Sequence, residues 1–166
     1  MTLLSFVLVL AAVLCSLVAG FLFAFAVVVM PGIAKLDDEG FIRTFQAIDG
    51  VIQRSQPLFV FVWVGSVLAL VSAALLGIRE LDAANRLTLI VATLVYILGV
   101  QLPTFTINIP MNNKLQKLDT GSISEPMKQR ARSEFEPRWN RWNTIRTACS
   151  ILTSVLLLLV LLGRNP

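Results

Sequence analysis

The 166-residue sequence contains no histidine. This absence excludes bis-histidine haem, histidine-ligated zinc, copper or non-haem iron, and histidine as a general base. Cysteine is scarce as well: Cys15 and Cys149 lie inside apolar runs and show no CxxC spacing. A thiol redox centre or a disulfide framework is therefore not expected, and we interpret both cysteines as buried apolar thiols.

Charged residues are also few. They make up 14% of the chain, whereas 56% of the residues are hydrophobic, and the mean hydropathy is +0.78. A soluble domain carries about 25% charged residues, so the deficit indicates long segments surrounded by membrane lipids. The net charge of +4 does not indicate nucleic-acid binding, because the basic residues lie in loops between apolar runs and no stacking module accompanies them.

Four apolar runs predict an all-α fold, a single four-helix transmembrane domain over residues 1–166, with spans at about 4–30, 57–78, 87–107 and 139–162. A membrane crossing requires about 20 apolar residues. The first run has no charged residue before Lys35 and no basic start, so we expect a retained helix rather than a signal peptide. Helix ends are expected at Pro31 and Pro110, and a separate surface helix over 125–136 is expected to end before Pro137.

The loops are unequal in length and charge. Eleven of the 14 lysines and arginines lie in or beside the loops 31–56 and 108–138, counted as far as Arg146. The opposite side has Arg79, Arg86 and Arg164. The positive-inside rule therefore predicts that the two long loops are cytoplasmic and that both termini lie outside.

Two further patterns concern packing. In the first loop, apolar residues recur at helical spacing, which predicts a short amphipathic helix in the interface or folded over the mouth of the bundle. These residues are Phe41, Ile42, Phe45, Ile48 and Ile52, with Gln46, Asp49 and Gln53 forming a polar stripe. Small residues at every fourth position predict helix–helix seams. They are Ser16, Gly20 and Ala24 in the first span, and Gly65, Ala69, Ala73 and Gly77 in the second.

Polar residues within the last two spans require a separate explanation. Polar groups at membrane depth are costly and normally face the interior of a bundle. Two stripes share helix faces: Gln101, Thr104 and Asn108 in the third span, and Asn143, Arg146, Ser150 and Thr153 in the fourth. Both lie toward the long-loop side, so we expect a polar pocket there that also includes Gln46, Asp49 and Asn112.

Each of these residues also has a simpler interpretation. Trp139 and Trp142 could belong to an aromatic belt at the membrane surface. Arg146 could extend to the lipid headgroups, and Asn108 could bond backbone carbonyls freed near Pro110. Gln46 and Asp49 could form the water-facing side of the interfacial helix. The sequence leaves these alternatives open.

At these residues the sequence resembles the anthrone oxygenase-like family of small membrane proteins, a group long described only as a domain of unknown function. The resemblance covers roughly residues 15–155. It rests on Phe23-Ala24-Phe25 through Met30-Pro31-Gly32, on Phe45-Gln46-Ala47-Ile48-Asp49 with Pro57 and Phe59, on Thr106-Ile107-Asn108-Ile109-Pro110-Met111-Asn112, and on Trp139-Asn140-Arg141-Trp142-Asn143 with Arg146-Thr147. The chain departs from the pattern at Asp49 and Gln56, where asparagine is expected.

The resemblance implies a four-helix membrane protein. Some relatives oxidise anthrones to anthraquinones with O₂ by chemistry regarded as needing no metal or flavin, so no cofactor is expected. In such a reaction Arg146 would stabilise an enolate or a reduced oxygen species, and Asp49 would be the candidate base. A lipophilic aromatic substrate would be bound by the remaining candidates, which are Gln46, Gln101, Asn108, Asn112, Trp139, Trp142 and Asn143.

A non-enzymatic function is the alternative. The same polar end could bind a lipid headgroup or a quinone, or dock a partner subunit, and the sequence does not distinguish a monomer from a homo-oligomer. Family resemblance supports a fold more strongly than it supports a reaction.

Overall fold

The computed structural model describes residues 2–163, and its regular secondary structure there is entirely helical. The helices are α1 (Leu3–Ile33), α2 (Asp38–Gln53), α3 (Pro57–Glu80), α4 (Ala83–Gln116) and α5 (Glu125–Gly163). All except α2 are long and apolar enough to cross a membrane. The predicted all-α bundle of four spans, with a short helix after the first span, is confirmed. Arg164 lies outside the described residues.

Side-chain caps mark the start of four helices, beginning with Thr2 at α1. Asp37 accepts a hydrogen bond from the backbone N–H of Gly40 at the start of α2, and Gln56 accepts one from Phe59 at the start of α3. Asp82 accepts bonds from two backbone N–H groups at the start of α4. Aspartate is one of the residue types that commonly satisfy the free donors of a first helical turn, and at α3 a glutamine side chain does the same.

The spans form a ring in which α1 packs against α3 and α5, and α4 packs against α5. The contacts of α3 with α4 concentrate on residues 83–96, next to the short turn between the two helices. At this end the Asn85 amide donates to the carbonyl of Gly163, so the turn lies beside the end of α5. The apolar core here is built largely from Leu4, Leu8, Leu70, Leu89 and Leu157.

The opposite end, called the polar end below, consists of α2, residues 109–116 of α4 and residues 125–143 of α5. The 39 residues of α5 span about 58 Å, twice the roughly 30 Å of a hydrocarbon core, so its first turns extend beyond the membrane. The amphipathic helix is confirmed as α2, which folds over the bundle and buries Phe41, Ile42 and Phe45 against Phe135 and Trp139.

Three predicted helix ends are wrong, because the helices continue through Pro31, Pro110 and Pro137. Wider π-helical turns, Phe25–Val29 and Thr104–Asn108, precede the first two prolines. A wider turn relieves the clash between a proline ring and the carbonyl of the preceding turn. Pro137 and Ser133 are both exposed, so the carbonyl that loses its partner lies at the surface. Consequently α5 begins at Glu125 and includes the predicted separate surface helix.

One of the two predicted small-residue seams is present. In α3, Ala69 and Ala73 are buried, and a Cβ atom added to Gly77 would lie 2.9 Å from a Leu89 side-chain carbon. The seam expected in α1 is wrong, since Ser16 and Gly20 are exposed. The opposite face of α1, with larger side chains such as Leu8, fills the centre of the bundle instead.

Ion pairs attach the polar end to the spans. The Arg132 guanidinium donates to the backbone carbonyls of Ala34 and Leu36, beyond the end of α1, and also pairs with Asp38 and Glu136. Lys128 of α5 forms an ion pair with Glu39 of α2. Much of the loop charge therefore holds α1, α2 and α5 together.

Candidate functional site

A cavity of about 480 Å³ lies between the spans at the polar end, within the range of about 300–1,000 Å³ that is common for ligand sites. Helices α1 and α5 form its back, α2 covers it, and α3 and α4 form its sides. Its polar lining residues are Asp49, Gln53, Ser55, Thr104, Asn108, Asn112, Asn113, Asn143 and Arg146. Aromatic rings supply much of the remaining surface.

Among residues 2–163, Arg146 is the only cationic residue that lines this cavity. It is 4% exposed, and its Nη1 and Nη2 atoms donate to Thr104 Oγ1 at 3.1 Å and Asn143 Oδ1 at 3.0 Å. Its Nε has no partner, and none of the ion pairs within residues 2–163 includes Arg146. A buried cation without a counter-ion is costly, which makes this position suited to an anionic or electron-rich ligand.

Asn108 lies on the same side of the cavity. It is 2% exposed, and neither its amide nitrogen nor its amide oxygen has a hydrogen-bond partner. Buried polar atoms are almost always paired, so an asparagine with both groups unpaired in a cavity wall is suited to a ligand that can donate and accept. Asn143, by contrast, is fully engaged: it donates to the Leu22 carbonyl and accepts from Arg146.

Asp49 is the acidic group of the site. Its Oδ1 accepts from the Asn112 amide at 2.7 Å, and its Oδ2 accepts from the Gln53 and Gln116 amides at 2.7 and 2.9 Å. Asn112 in turn accepts from Trp139 Nε1 at 2.9 Å. This chain of bonds joins α2, α4 and α5, so the carboxylate both faces the cavity and holds the cover in place.

The cavity brings together six of the nine predicted site residues: Asp49, Asn108, Asn112, Trp139, Asn143 and Arg146. The other three lie outside its lining. Gln46 donates to the carbonyls of Leu115 and Leu118 at the end of α4. Gln101 accepts from Trp63 Nε1 at 3.0 Å, while Trp142 is half-buried elsewhere on α5.

The predicted site residues include no aromatic residue of α3, although Phe59 belongs to the family pattern. The rings of Phe59 and Trp63 stack at 5.4 Å between centroids, and both line the cavity, as does Trp139 of α5. In an apolar span, a ring that faces a cavity cannot be told from one that faces lipid. The one available signal was the indole N–H of Trp63, which needs a partner inside the membrane.

Together these features define a small helical membrane protein of four spans, with a cavity at one end that combines a buried cation, free amide groups and aromatic walls. The family model for anthrone oxygenase matches residues 50–156, which is more than half of the chain. The chain therefore belongs to the anthrone oxygenase family, as the resemblance had predicted. No curated protein and no solved structure matched the chain.

Proposed function

We propose that this protein is a cofactor-independent oxygenase that acts on a lipophilic phenol or anthrone-type substrate in the cavity at the polar end. The observation that carries the proposal is Arg146, a buried cation that faces the cavity and has no carboxylate partner in the part of the chain that the structure describes. Membership of the family supplies the class of reaction. The aromatic walls suit a flat, apolar ring system.

The reaction can be written with balanced atoms and electrons. Anthrone loses a proton from its CH₂ group to give an enolate, which transfers an electron to O₂. The two radicals combine through a new carbon–oxygen bond, and the peroxide formed is protonated. Loss of the remaining C–H proton with cleavage of the O–O bond gives anthraquinone and water. The carbon is oxidised by four electrons, and one molecule of O₂ accepts them.

Arg146 has the principal role in this scheme, because a fixed cation stabilises negative charge on the enolate oxygen as it develops. Thr104 and Asn143 hold the guanidinium in position. The free amide of Asn108 orients a carbonyl or hydroxyl group of the substrate. Asp49 is the candidate base, and a proton that it accepts must compete with the amide donors around it.

We place the polar end in the cytoplasm. The argument is the asymmetry of charge, with eleven of the 14 lysines and arginines on that side of the chain. Substrate would then be converted at the cytoplasmic leaflet, and both termini would lie on the opposite side.

The test is O₂-dependent conversion of anthrone to anthraquinone by the purified protein in nanodiscs, after treatment with a chelator and with the uncatalysed rate subtracted. Arg146→Gln is expected to lower the rate about 10²–10³-fold, the usual effect of removing one group that stabilises an oxyanion. Arg141→Gln is the matched control, since Arg141 is exposed on the same helix. Unchanged oxidation by Arg146→Gln would refute the scheme. Tight binding of anthraquinone without any turnover would instead support the non-enzymatic alternative.

A further inference from the structure

The cavity has a mouth between α3 and α4, at the surface that the two spans present to lipid. Four lining residues form this mouth, Val60 and Val64 on α3 and Phe105 and Ile109 on α4, and they are 38–61% exposed. Each is apolar. Apolar side chains exposed on the flank of a membrane span have hydrocarbon, rather than water, as their solvent.

The packing of the helices explains why the mouth lies here. Helices α3 and α4 are in close contact beside their connecting turn, along residues 83–96. The bond from Trp63 Nε1 to Gln101 Oε1 joins them once more. Val60 and Phe105 lie about one turn nearer the polar end than these two residues, where the α3–α4 wall opens, and Val64 lies next to Trp63. The Trp63–Gln101 bond therefore marks the inner end of the mouth.

The mouth runs from the level of the headgroups into the hydrocarbon. Val64 lies seven residues after the first residue of α3, which corresponds to about 10 Å along the helix axis. At the outer end the lining includes Ser55 and Asn113, which are exposed and polar. A molecule in the mouth would thus have an apolar environment along most of its length. Arg146 and Asn108 lie behind the rim, in the wall of the cavity.

From this geometry we infer that the substrate enters sideways from the bilayer, between α3 and α4, and does not enter from water. The inference rests on the proposed function, because it takes this cavity to be the substrate site. It also specifies the class of ligand, which is a flat, membrane-dissolved molecule that carries one acidic oxygen. Val60, Val64 and Phe105 are the residues that determine access. Water-soluble conjugates of the same ring system are excluded, because they do not partition into the hydrocarbon along which the mouth lies.

A first experiment needs no ligand. In the background Trp139→Phe/Trp142→Phe, Trp63 is the sole remaining tryptophan of the three. Lipids brominated on the upper acyl carbons should quench its fluorescence through the mouth. The additional pair Val60→Phe/Val64→Phe should remove this quenching, whereas Leu68→Phe, on the lipid-facing side of α3, should leave it unchanged. Equal quenching with and without the pair, or no quenching at all, would overturn the inference.

A second experiment follows the ligand in Trp142→Phe nanodiscs loaded with 1-hydroxyanthraquinone, which cannot be oxidised as anthrone is. After mixing with an excess of empty vesicles, the slow recovery of tryptophan fluorescence reports release from the cavity. Val60→Phe/Val64→Phe should slow this phase about tenfold, within the range over which mutants of one binding site differ in rate, and Leu68→Phe should not. An unchanged rate, or the absence of a slow phase, would contradict entry from the bilayer.

The two proposals fail separately. Both fluorescence experiments are independent of turnover. If they give the expected results but the protein does not oxidise anthrone, entry from the bilayer is supported and the oxygenase function is refuted. If the protein oxidises anthrone, but Val60→Phe/Val64→Phe changes neither ligand release nor fluorescence quenching, only entry from the bilayer is refuted.

Discussion

Replacing Arg146 by methionine should separate stability from activity, and the sign of each effect follows from the contacts of the guanidinium. Arg146 is buried among spans and has no counter-ion among the described residues. An arginine at the centre of a membrane helix costs about 2.5–3.5 kcal/mol on an insertion scale, and this is an upper limit for Arg146, which lies about one turn from the polar end. Methionine has a similar length, fills irregular space and carries no charge, so the substitution removes most of this cost.

The substitution also removes two hydrogen bonds. Thr104 is little affected, because its hydroxyl donates to the carbonyl of Val100 in any case. Asn143 Oδ1 is left without a donor, and an unpaired buried acceptor costs about 1–3 kcal/mol. Subtracting this loss from a relief of at most about 3 kcal/mol leaves Arg146→Met within roughly 2 kcal/mol of the wild-type stability.

The measurement is thermal or denaturant unfolding in nanodiscs beside the anthrone assay, with Arg141→Met as the control on the exposed side of α5. We expect Arg146→Met to unfold close to the wild-type temperature and to lose about a hundredfold or more in oxidation rate. Destabilisation by more than about 2 kcal/mol would refute the reasoning, since Arg146 would then contribute more to the fold than its two hydrogen bonds and its contact with the Trp139 ring explain.

Three further predictions concern other parts of the molecule. Trp139→Phe keeps a ring in the cavity and loses one hydrogen bond to α4, so it should lower the stability by about 1 kcal/mol in a thermal-shift assay. The hydrogen bond from Lys128 lowers the pKa of Glu39 below its ordinary value of 4.5, so this pair stabilises the docking of α2 above pH 4.5 and ceases to do so as the pH falls through the lowered pKa. Hydrogen exchange of α2 should therefore differ between wild type and Glu39→Gln at neutral pH, and the difference should disappear in acid. Ser122→Cys should react with an impermeant maleimide from the cytoplasmic side and Ala84→Cys from the other; the reverse labelling would contradict the orientation.

The sequence predicted the spans and much of the polar site for one physical reason. A polar side chain inside a membrane is costly when it faces lipid, so the helix faces that carry Asn108 and Arg146 are expected to point into the bundle. Residues whose chemistry is the same in lipid and in a cavity gave no such information. Phe59 and Trp63 belong to this group. Ser16 and Gly20 belong to it as well, because their small size predicted a helix–helix seam, whereas the face of α1 that packs in the bundle carries larger side chains.

Helix irregularity accounts for the remaining differences. A proline in a sequence predicts an interruption, whereas α1 and α4 absorb Pro31 and Pro110 by means of π-helical turns. In a π-helical turn a backbone carbonyl accepts a hydrogen bond from the N–H five residues later instead of four. No residue type in the sequence indicates this change of partner. Gln101 was assigned to the pocket on the assumption of a regular helix, and it lies in another such turn, Ile97–Gln101.

The π-helical turn at Thr104–Asn108 has a direct consequence for the site. Thr104, Asn108 and Asn112 all line the cavity, although residues four apart in a regular α-helix drift around the axis by about 40° at each step. The wider turn holds more residues, which keeps the three side chains aligned along one wall. The turn at Phe25–Val29 lies on the other side of α5, and its first residue, Phe25, also lines the cavity. Single π-helical turns are rare and frequent at functional sites. The turns that accommodate Pro31 and Pro110 therefore also shape two walls of the cavity, because both of them contact α5 next to it.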